Sequence, residues 1–178
     1  MRLSHQQFTR CLSARLLALL LLVSFGSAAL AKPKPPEMRP LGWLGRHHIE
    51  NQVAKVDALA REKLGMQVHG DQSDLELLQR IINKGLIKKE DRLMLQAMGA
   101  VLGNALQREL GMDWTEYEDR LGQSRALCVA DTDHCLFPIT MLSRRMEVGL
   151  LPNVKEVFDY CVELMTPYIP VDSYGNRR

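Results

Sequence analysis

The sequence predicts an α+β domain with a helical N-terminal half, a small three-stranded antiparallel meander and two closing helices. Two observations support this fold class. Apolar residues recur every three or four positions over residues 47–110 and again after residue 138, which is the period of an α-helix. Between these stretches, residues 113–137 alternate and are interrupted by turn-forming residues, as short strands are. We therefore expect a single domain over residues 47–167.

Residues 1–31 are expected to be a signal peptide rather than part of this domain. Basic residues precede an apolar run over residues 16–25, and Ala29-Leu30-Ala31 is a small-x-small cleavage pattern. The run falls short of the about 20 apolar residues that a membrane span needs, although an uncleaved anchor is the alternative. We expect cleavage between Ala31 and Lys32 and export to the periplasm, with full secretion as the second choice.

The charge of the processed chain excludes one class of partner. Removal of residues 1–31 leaves 20 Lys and Arg against 21 Asp and Glu. Nucleic-acid binding proteins concentrate basic charge, so we expect no nucleic-acid partner. The overall balance also provides no attraction to anionic lipid, and no stable membrane insertion is expected after processing. Residues 32–46 begin with a proline-rich run and are interpreted as an extended leader that ends in a loop.

Three amphipathic helices are predicted in the N-terminal half. Each carries an apolar stripe and is followed by a glycine, a residue that favours helix termination. The second begins with a capping box, in which Ser73 is the cap and Glu76 lies three residues later. The predicted helices run from His48 to Leu64, from the Ser73 cap to Gly85, and from about Lys89 to Leu110.

Gly99 and Gly103 lie one turn apart on the third predicted helix. In a membrane this spacing would indicate a dimerisation face. In a globular domain it lets another element approach closely, at a cost of up to about 1 kcal/mol of helix propensity for each glycine. We favour the packing role and expect Gly103 on the buried face.

The C-terminal half is predicted to contain the meander and the closing helices. The predicted strands cover residues 113–118, 126–130 and 134–137, with turns at 121–124 and 131–133. Pro138 suits the first position of a helix, which Gly149 ends. Asn153 caps a last helix that Pro167 ends, and residues 168–178 are expected to form a flexible tail.

Three cysteines remain after processing. Cys128 and Cys135 flank the turn at 131–133, so two paired strands would bring them face to face. We predict a disulfide between them, as an oxidising compartment allows. Cys161 lies in an apolar helical stripe and is expected to be a buried free thiol.

The stretch from Leu93 to Phe158 resembles a bacterial family known only as domain of unknown function 3806. The likeness is carried by the order and spacing of several short motifs rather than by any one of them. These motifs are Gly99-x-x-x-Gly103, Leu110-Gly111-Met112-x-Trp114, Glu118-Asp119 before Gly122, Ala126-Leu127, Phe137-Pro138, and Met141-x-x-Arg144-Arg145-x-Glu147-x-Gly149. The family implies no activity, cofactor or catalytic residue, and it agrees with the helix–meander–helix order.

The sequence contains no familiar catalytic or cofactor-binding motif. Asp131-x-Asp133-His134-Cys135 gathers potential metal ligands, but a polar turn explains it as well, and a disulfide at Cys135 would remove the thiolate. His47 and His48 are adjacent on a helix and would point apart. We therefore predict no metal site and no cofactor.

The acidic residues of the meander have a structural interpretation. Paired carboxylates often act in acid–base catalysis, yet Glu118 and Asp119 are neighbours on one strand and face opposite sides. Arg144 and Arg145 on the next helix offer cationic partners. We expect these four residues to form structural ion pairs.

Two functional hypotheses follow. The first is a non-catalytic protein-interaction domain whose partner is another envelope protein; a shallow apolar patch around Trp43, Trp114 or Tyr117 would favour it. The second is an enzyme or small-molecule binder with an unfamiliar site between the meander and the C-terminal helices. A deep pocket that holds Glu118, Arg144 and His134 would favour the second.

Overall fold

The computed structural model describes residues 35–170. The expected signal peptide, its cleavage between Ala31 and Lys32, and the tail beyond Pro170 lie outside the described residues. The described part is α+β, which confirms the predicted fold class, and its N-terminal half is largely helical. The strands are β1 (Glu37–Pro40), β2 (Asp113–Asp119), β3 (Gly122–Cys128) and β4 (Cys135–Leu136). The helices are α1 (Trp43–Leu64), α2 (Asp74–Asn83), α3 (Arg92–Leu110), α4 (Pro138–Met141), α5 (Ser143–Glu147) and α6 (Val154–Met165), followed by a 3₁₀ turn at Thr166–Tyr168.

The sheet has four antiparallel strands in the order β1-β2-β3-β4, one more than predicted. The additional strand comes from the expected leader, where Met38 pairs with Tyr117 and Pro40 with Thr115. Its residues are exposed and do not alternate in polarity, so nothing local indicates pairing. The loop expected over residues 41–46 is also different, because α1 begins at Trp43.

Helix α3 is the centre of the core and packs against the five other helices of the described region. Most of its residues from Leu95 to Leu106 are buried on all sides of the helix. The sheet closes the core with one face, to which Trp114, Leu127 and Leu136 contribute buried side chains. Within residues 35–170, no helix combines the length and apolar character needed to cross a membrane.

The two glycines of α3 are close-packing positions, as the sequence indicated. A Cβ on Gly99 would lie 2.5 Å from the carbonyl oxygen of Pro138 and 2.6 Å from the Cα of Ile139. A Cβ on Gly103 would overlap the six-membered ring of the Trp114 indole. Each glycine therefore admits a neighbour that any other residue would displace.

Two local predictions are wrong in detail. Ser73 makes no capping bond; its hydroxyl donates to Asp71, and the buried Asp74 accepts from the backbone N–H groups of His69 and Gly70 at 2.9 and 2.7 Å. The hydrogen bonds to Asp71 lower the pKa of that carboxyl, with the Ser73 hydroxyl as the largest cause. The β2–β3 turn is shorter than expected, because Gly122, Gln123 and Ser124 already belong to β3.

Candidate functional site: an open cleft beside the first strand

An open cleft of about 1220 Å³ lies among the described residues. It lies between β1, the first turns of α1, the last turns of α3, the start of β2 and the loop that joins β3 to β4. Its lining residues are Met38, Arg39, Pro40, Leu41, Arg46, Ile49, Glu50, Asn104, Gln107, Asp113, Trp114, Thr115, Cys128, Val129, Ala130, Asp131, Thr132, Asp133 and His134.

The apolar part of the cleft is continuous with the core. Leu41, Ile49 and Trp114 are buried members of the core cluster that also border the cavity. The indole Nε1 of Trp114 donates to the side-chain oxygen of Asn104 at 3.0 Å. This bond holds the indole against Gly103, so the same packing that fills the core shapes the cleft wall.

Polar bonds hold β1 at the edge of the cleft. The backbone N–H of Leu41 donates to the carbonyl of Trp114 at 3.4 Å. The guanidinium of Arg46 donates to the carbonyl of Leu41 at 2.5 Å, which links the start of α1 to the end of β1. Arg39 forms an ion pair with Glu118 at 3.0 Å on the exposed surface.

The loop between β3 and β4 forms the opposite rim. Cys128 and Cys135 lie at disulfide distance, with an S–S length of 2.00 Å and Cα atoms 4.1 Å apart, as predicted from the sequence. Within the loop, Val129 N–H donates to the carbonyl of His134 at 3.0 Å, and Asp131 adopts a left-handed backbone with φ +57°. The disulfide and these bonds constrain a rim whose Asp131 and Asp133 line the same cavity as Asp113.

A ring stack connects this rim to the C-terminal segment. The rings of His134 and Tyr168 are stacked with centroids 3.6 Å apart, and Ile169 is buried. Residues 168 and 169, which we assigned to a flexible tail, are therefore docked on the domain. Tyr168 stacks on His134 of the rim, whereas Ile169 belongs to the core cluster.

The four predicted ion-pair residues do not pair with one another in the described region. Glu118 pairs with Arg39, because strand β1 brings that guanidinium to the sheet edge. The Asp119 carboxylate accepts the N–H of Leu121 at 2.7 Å in the β2–β3 turn. Arg145 donates to the carbonyl of Met141, and Arg144 is exposed on α5.

The contacts of the other candidate residues indicate structural roles. In the described part of the chain, no group of three His, Cys, Asp or Glu side chains is arranged to hold a metal. His47 stacks on Trp43 at 5.4 Å and lies 3.7 Å from Glu50. Partial desolvation lowers the pKa of His48, and Arg125 and Lys55 lower it further. Burial of the Cys161 thiol raises its pKa to about 11, as suits the expected buried free cysteine.

The structure also separates the residues that would have favoured a small-molecule site. His134 borders the cleft, whereas Glu118 and Arg144 do not. Arg46, Asn104 and Gln107, which do border it, were not singled out from the sequence. They resemble ordinary polar positions of amphipathic helices, and only the packing of α1 on α3 brings them together.

Comparisons with known proteins agree with this fold. A crystal structure from Bacteroides thetaiotaomicron VPI-5482 is similar to this chain at 20% sequence identity, with a TM-score of 0.67. The match covers 75% of this chain and 49% of that one, so the chain spans about half the length of the solved structure. At this identity the likeness concerns the fold alone. The search of curated proteins found no match.

The family model described as Domain of unknown function (DUF3806) matches residues 74–158. The matched segment includes α2, α3, the β2–β4 meander, α4, α5 and the start of α6. The match begins at residue 74, upstream of the Leu93–Phe158 motifs, and therefore includes α2. The match confirms the resemblance of this chain to the DUF3806 family.

Proposed function

We propose that this protein is an exported, non-catalytic binding domain whose cleft receives a segment of another envelope protein. Export is supported by the signal-peptide pattern of residues 1–31 and by the cysteine pair at disulfide distance, which suits an oxidising compartment. The observation that carries the binding role is the cleft beside β1.

The size of the cleft favours a polypeptide over a small molecule. Small-molecule sites typically have volumes of about 300–1,000 Å³ and enclose most of the ligand. The cleft is larger, at about 1220 Å³, and is open to solvent. An extended segment that lays apolar side chains against Met38 and Pro40 would follow the length of the cleft.

The edge strand and the rim indicate how such a segment is recognised. Pro40 removes one backbone donor from β1, which disfavours addition of a further strand along this edge. Asp113, Asp131 and Asp133 border the cavity with carboxylates. We therefore expect recognition through side chains, by a segment that combines apolar residues with Lys or Arg.

Site-specific photocrosslinking tests this proposal. A photoreactive amino acid is placed at Thr132 on the rim or at Gln107 on α3, and the full chain is expressed in its host. Both positions should crosslink to the same discrete envelope protein. A matched control at the exposed Glu62, on α1 and outside the cleft, should not.

Three outcomes would contradict the proposal. One is equal crosslinking from Glu62, and another is the absence of a discrete product from both cleft positions. The third is a small molecule that copurifies with the chain and is displaced by Thr132→Arg. That result would favour the alternative of an enzyme or small-molecule binder.

A further inference from the structure

We propose that a second surface binds the face of a bilayer that contains anionic phospholipids. The surface consists of Leu93 at the start of α3 together with Val148, Leu150 and Leu151 in the α5–α6 connection, and we call it the leucine end. The proposal is independent of the cleft and of what the cleft binds.

The leucine end exposes large apolar side chains that the fold leaves uncovered. Leu93 is 69% exposed, Val148 74%, Leu150 59% and Leu151 72%. The turn that presents the last three is ordered by backbone bonds from Gly149 to Met146 at 2.9 Å and from Leu150 to Arg145 at 3.0 Å. Gly149 has φ +83°, a conformation that favours glycine. Large apolar side chains exposed together at one end of a domain are typical of a protein or membrane contact.

Contacts between elements place these residues at one end of the domain. The guanidinium of Arg92, next to Leu93, lies 3.7 Å from the carboxylate of Glu147, next to Val148. The side chain of Gln79 on α2 bonds to the carbonyl of Pro152 at 3.4 Å and to the N–H of Val154 at 2.8 Å. The α2–α3 connection therefore borders the same end as the α5–α6 connection.

Charge selects an anionic bilayer as the occupant. Residues 35–170 carry 16 Lys and Arg against 20 Asp and Glu, so the domain as a whole repels anionic surfaces. The segments that form this end reverse the balance, with six cations against three carboxylates. The cations are Lys84, Lys88, Lys89, Arg92, Arg144 and Arg145, and the carboxylates are Glu90, Asp91 and Glu147.

Peripheral membrane binding depends on two contributions. Apolar side chains enter the membrane interface, and cations remain among the phosphate headgroups. The ion pair between Arg92 and Glu147 removes one charge from each set, which leaves five cations against two carboxylates. Of these, Arg145 also donates to the carbonyl of Met141, and Asp91 accepts the N–H of Met94 at the start of α3. Basic and acidic residues nearly balance over the whole processed chain, so the overall composition does not indicate this local excess of basic charge.

The position of the leucine end leaves the cleft accessible. Leu93 and the cleft residue Gln107 lie about 21 Å apart along α3, at a rise of about 1.5 Å per residue. A domain seated on a bilayer through the leucine end could still present the cleft to a partner. The two surfaces can therefore be tested separately.

Vesicle cosedimentation tests the proposal. The full chain is mixed with vesicles of equal parts phosphatidylglycerol and phosphatidylcholine, or of phosphatidylcholine alone. We expect binding to the anionic vesicles that decreases with added salt. Leu150→Ser with Leu151→Ser should weaken it at least roughly tenfold. Lys88→Gln with Lys89→Gln should weaken it roughly thirtyfold.

The control is Leu121→Ser, at an exposed leucine of the β2–β3 turn, which should bind as the wild type does. All variants carry the same N terminus, so differences among them report the leucine end alone. The proposal is overturned if the Leu150–Leu151 variant binds as the wild type does or if the anionic lipid makes no difference. The proposal is also overturned if the wild type self-associates and the Leu150–Leu151 variant does not. That result would show that the leucine end binds a second copy of the chain.

Discussion

Trp114 organises both the core and the cleft through a few contacts. Its ring lies over Gly103 of α3, and its Nε1 bonds to Asn104 on the same helix. Trp114 also borders the cleft. A substitution next to Trp114 is therefore expected to alter the shape of the cleft as well as the free energy of unfolding.

We expect Gly103→Ala to destabilise the protein by about 1–3 kcal/mol, and Gly103→Leu by at least as much, because the added carbons overlap the indole. This direction opposes helix propensity, which favours alanine by up to about 1 kcal/mol. Denaturant melts of Gly103→Ala, Trp114→Phe and the double variant measure the coupling. Strictly additive costs would show that the indole is not the obstructing neighbour.

The buried Cys161 thiol predicts a loss of stability at alkaline pH. Its pKa is raised to about 11 from an ordinary 9.0, so the unfolded chain loses this proton first as pH rises. The contribution is neutral below pH 9 and reduces stability progressively between about pH 9 and 11. Denaturant unfolding over this range should show a steeper decline for the wild type than for Cys161→Val. Parallel curves would contradict the assignment.

At the scale of elements, the start of α2 depends on Asp74 rather than on the predicted capping box. Asp74 is 1% exposed and accepts two backbone N–H groups from the preceding loop. Asp74→Ala should cost about 1–3 kcal/mol, because those donors lose a charged acceptor. Ser73→Ala should cost less than about 0.5 kcal/mol, since that hydroxyl is exposed. Thermal melts of the two variants measure these costs. A larger cost for Ser73→Ala than for Asp74→Ala would support the predicted capping box instead.

The hairpin of β3 and β4 is the element that most needs its disulfide, because β4 has only two residues. Replacing Cys128 and Cys135 together by serine should destabilise the protein by about 2–3 kcal/mol, the chain-entropy value for so short a loop. The readout is denaturant unfolding, with Cys161→Ser as the control for loss of a thiol. Peptide mapping without reductant should find Cys128 joined to Cys135; a bridge to Cys161 would contradict this hairpin.

At the scale of the whole molecule, we predict that the exported protein begins at Lys32. Ala29-Leu30-Ala31 supplies the small residues that signal peptidase requires after the apolar run. Intact mass of the protein recovered from the envelope measures the N terminus directly. Ala31→Phe should leave the precursor uncut, whereas a conservative Ala31→Ser should still be processed. Recovery of the wild type with residues 1–31 attached would show an uncleaved anchor instead.

The features determined by the sequence itself are those encoded by neighbouring residues. Helix periodicity and glycine stops placed α1 to α3 to within a few residues, and two cysteines around a turn indicated the disulfide. Both glycines of α3 were also recognised as packing positions. For the helices and the hairpin, the interacting groups lie close together along the chain, so the pattern is visible locally. The neighbours that fill the two glycine positions are Trp114, Pro138 and Ile139, which come from later elements and were not identified from the spacing.

Tertiary structure alone decided the features that join distant residues. Backbone pairing of residues 37–40 with residues 115–118 adds the fourth strand and brings Arg39 to Glu118 across 79 positions, in place of the expected helix partner. The same pairing creates the cleft, and the meeting of α3 with the α5–α6 connection gathers the leucine end. Extended segments pair, and helix faces become buried, where two surfaces exclude water from each other. The spacing of residues along the chain does not determine which surfaces meet in this way.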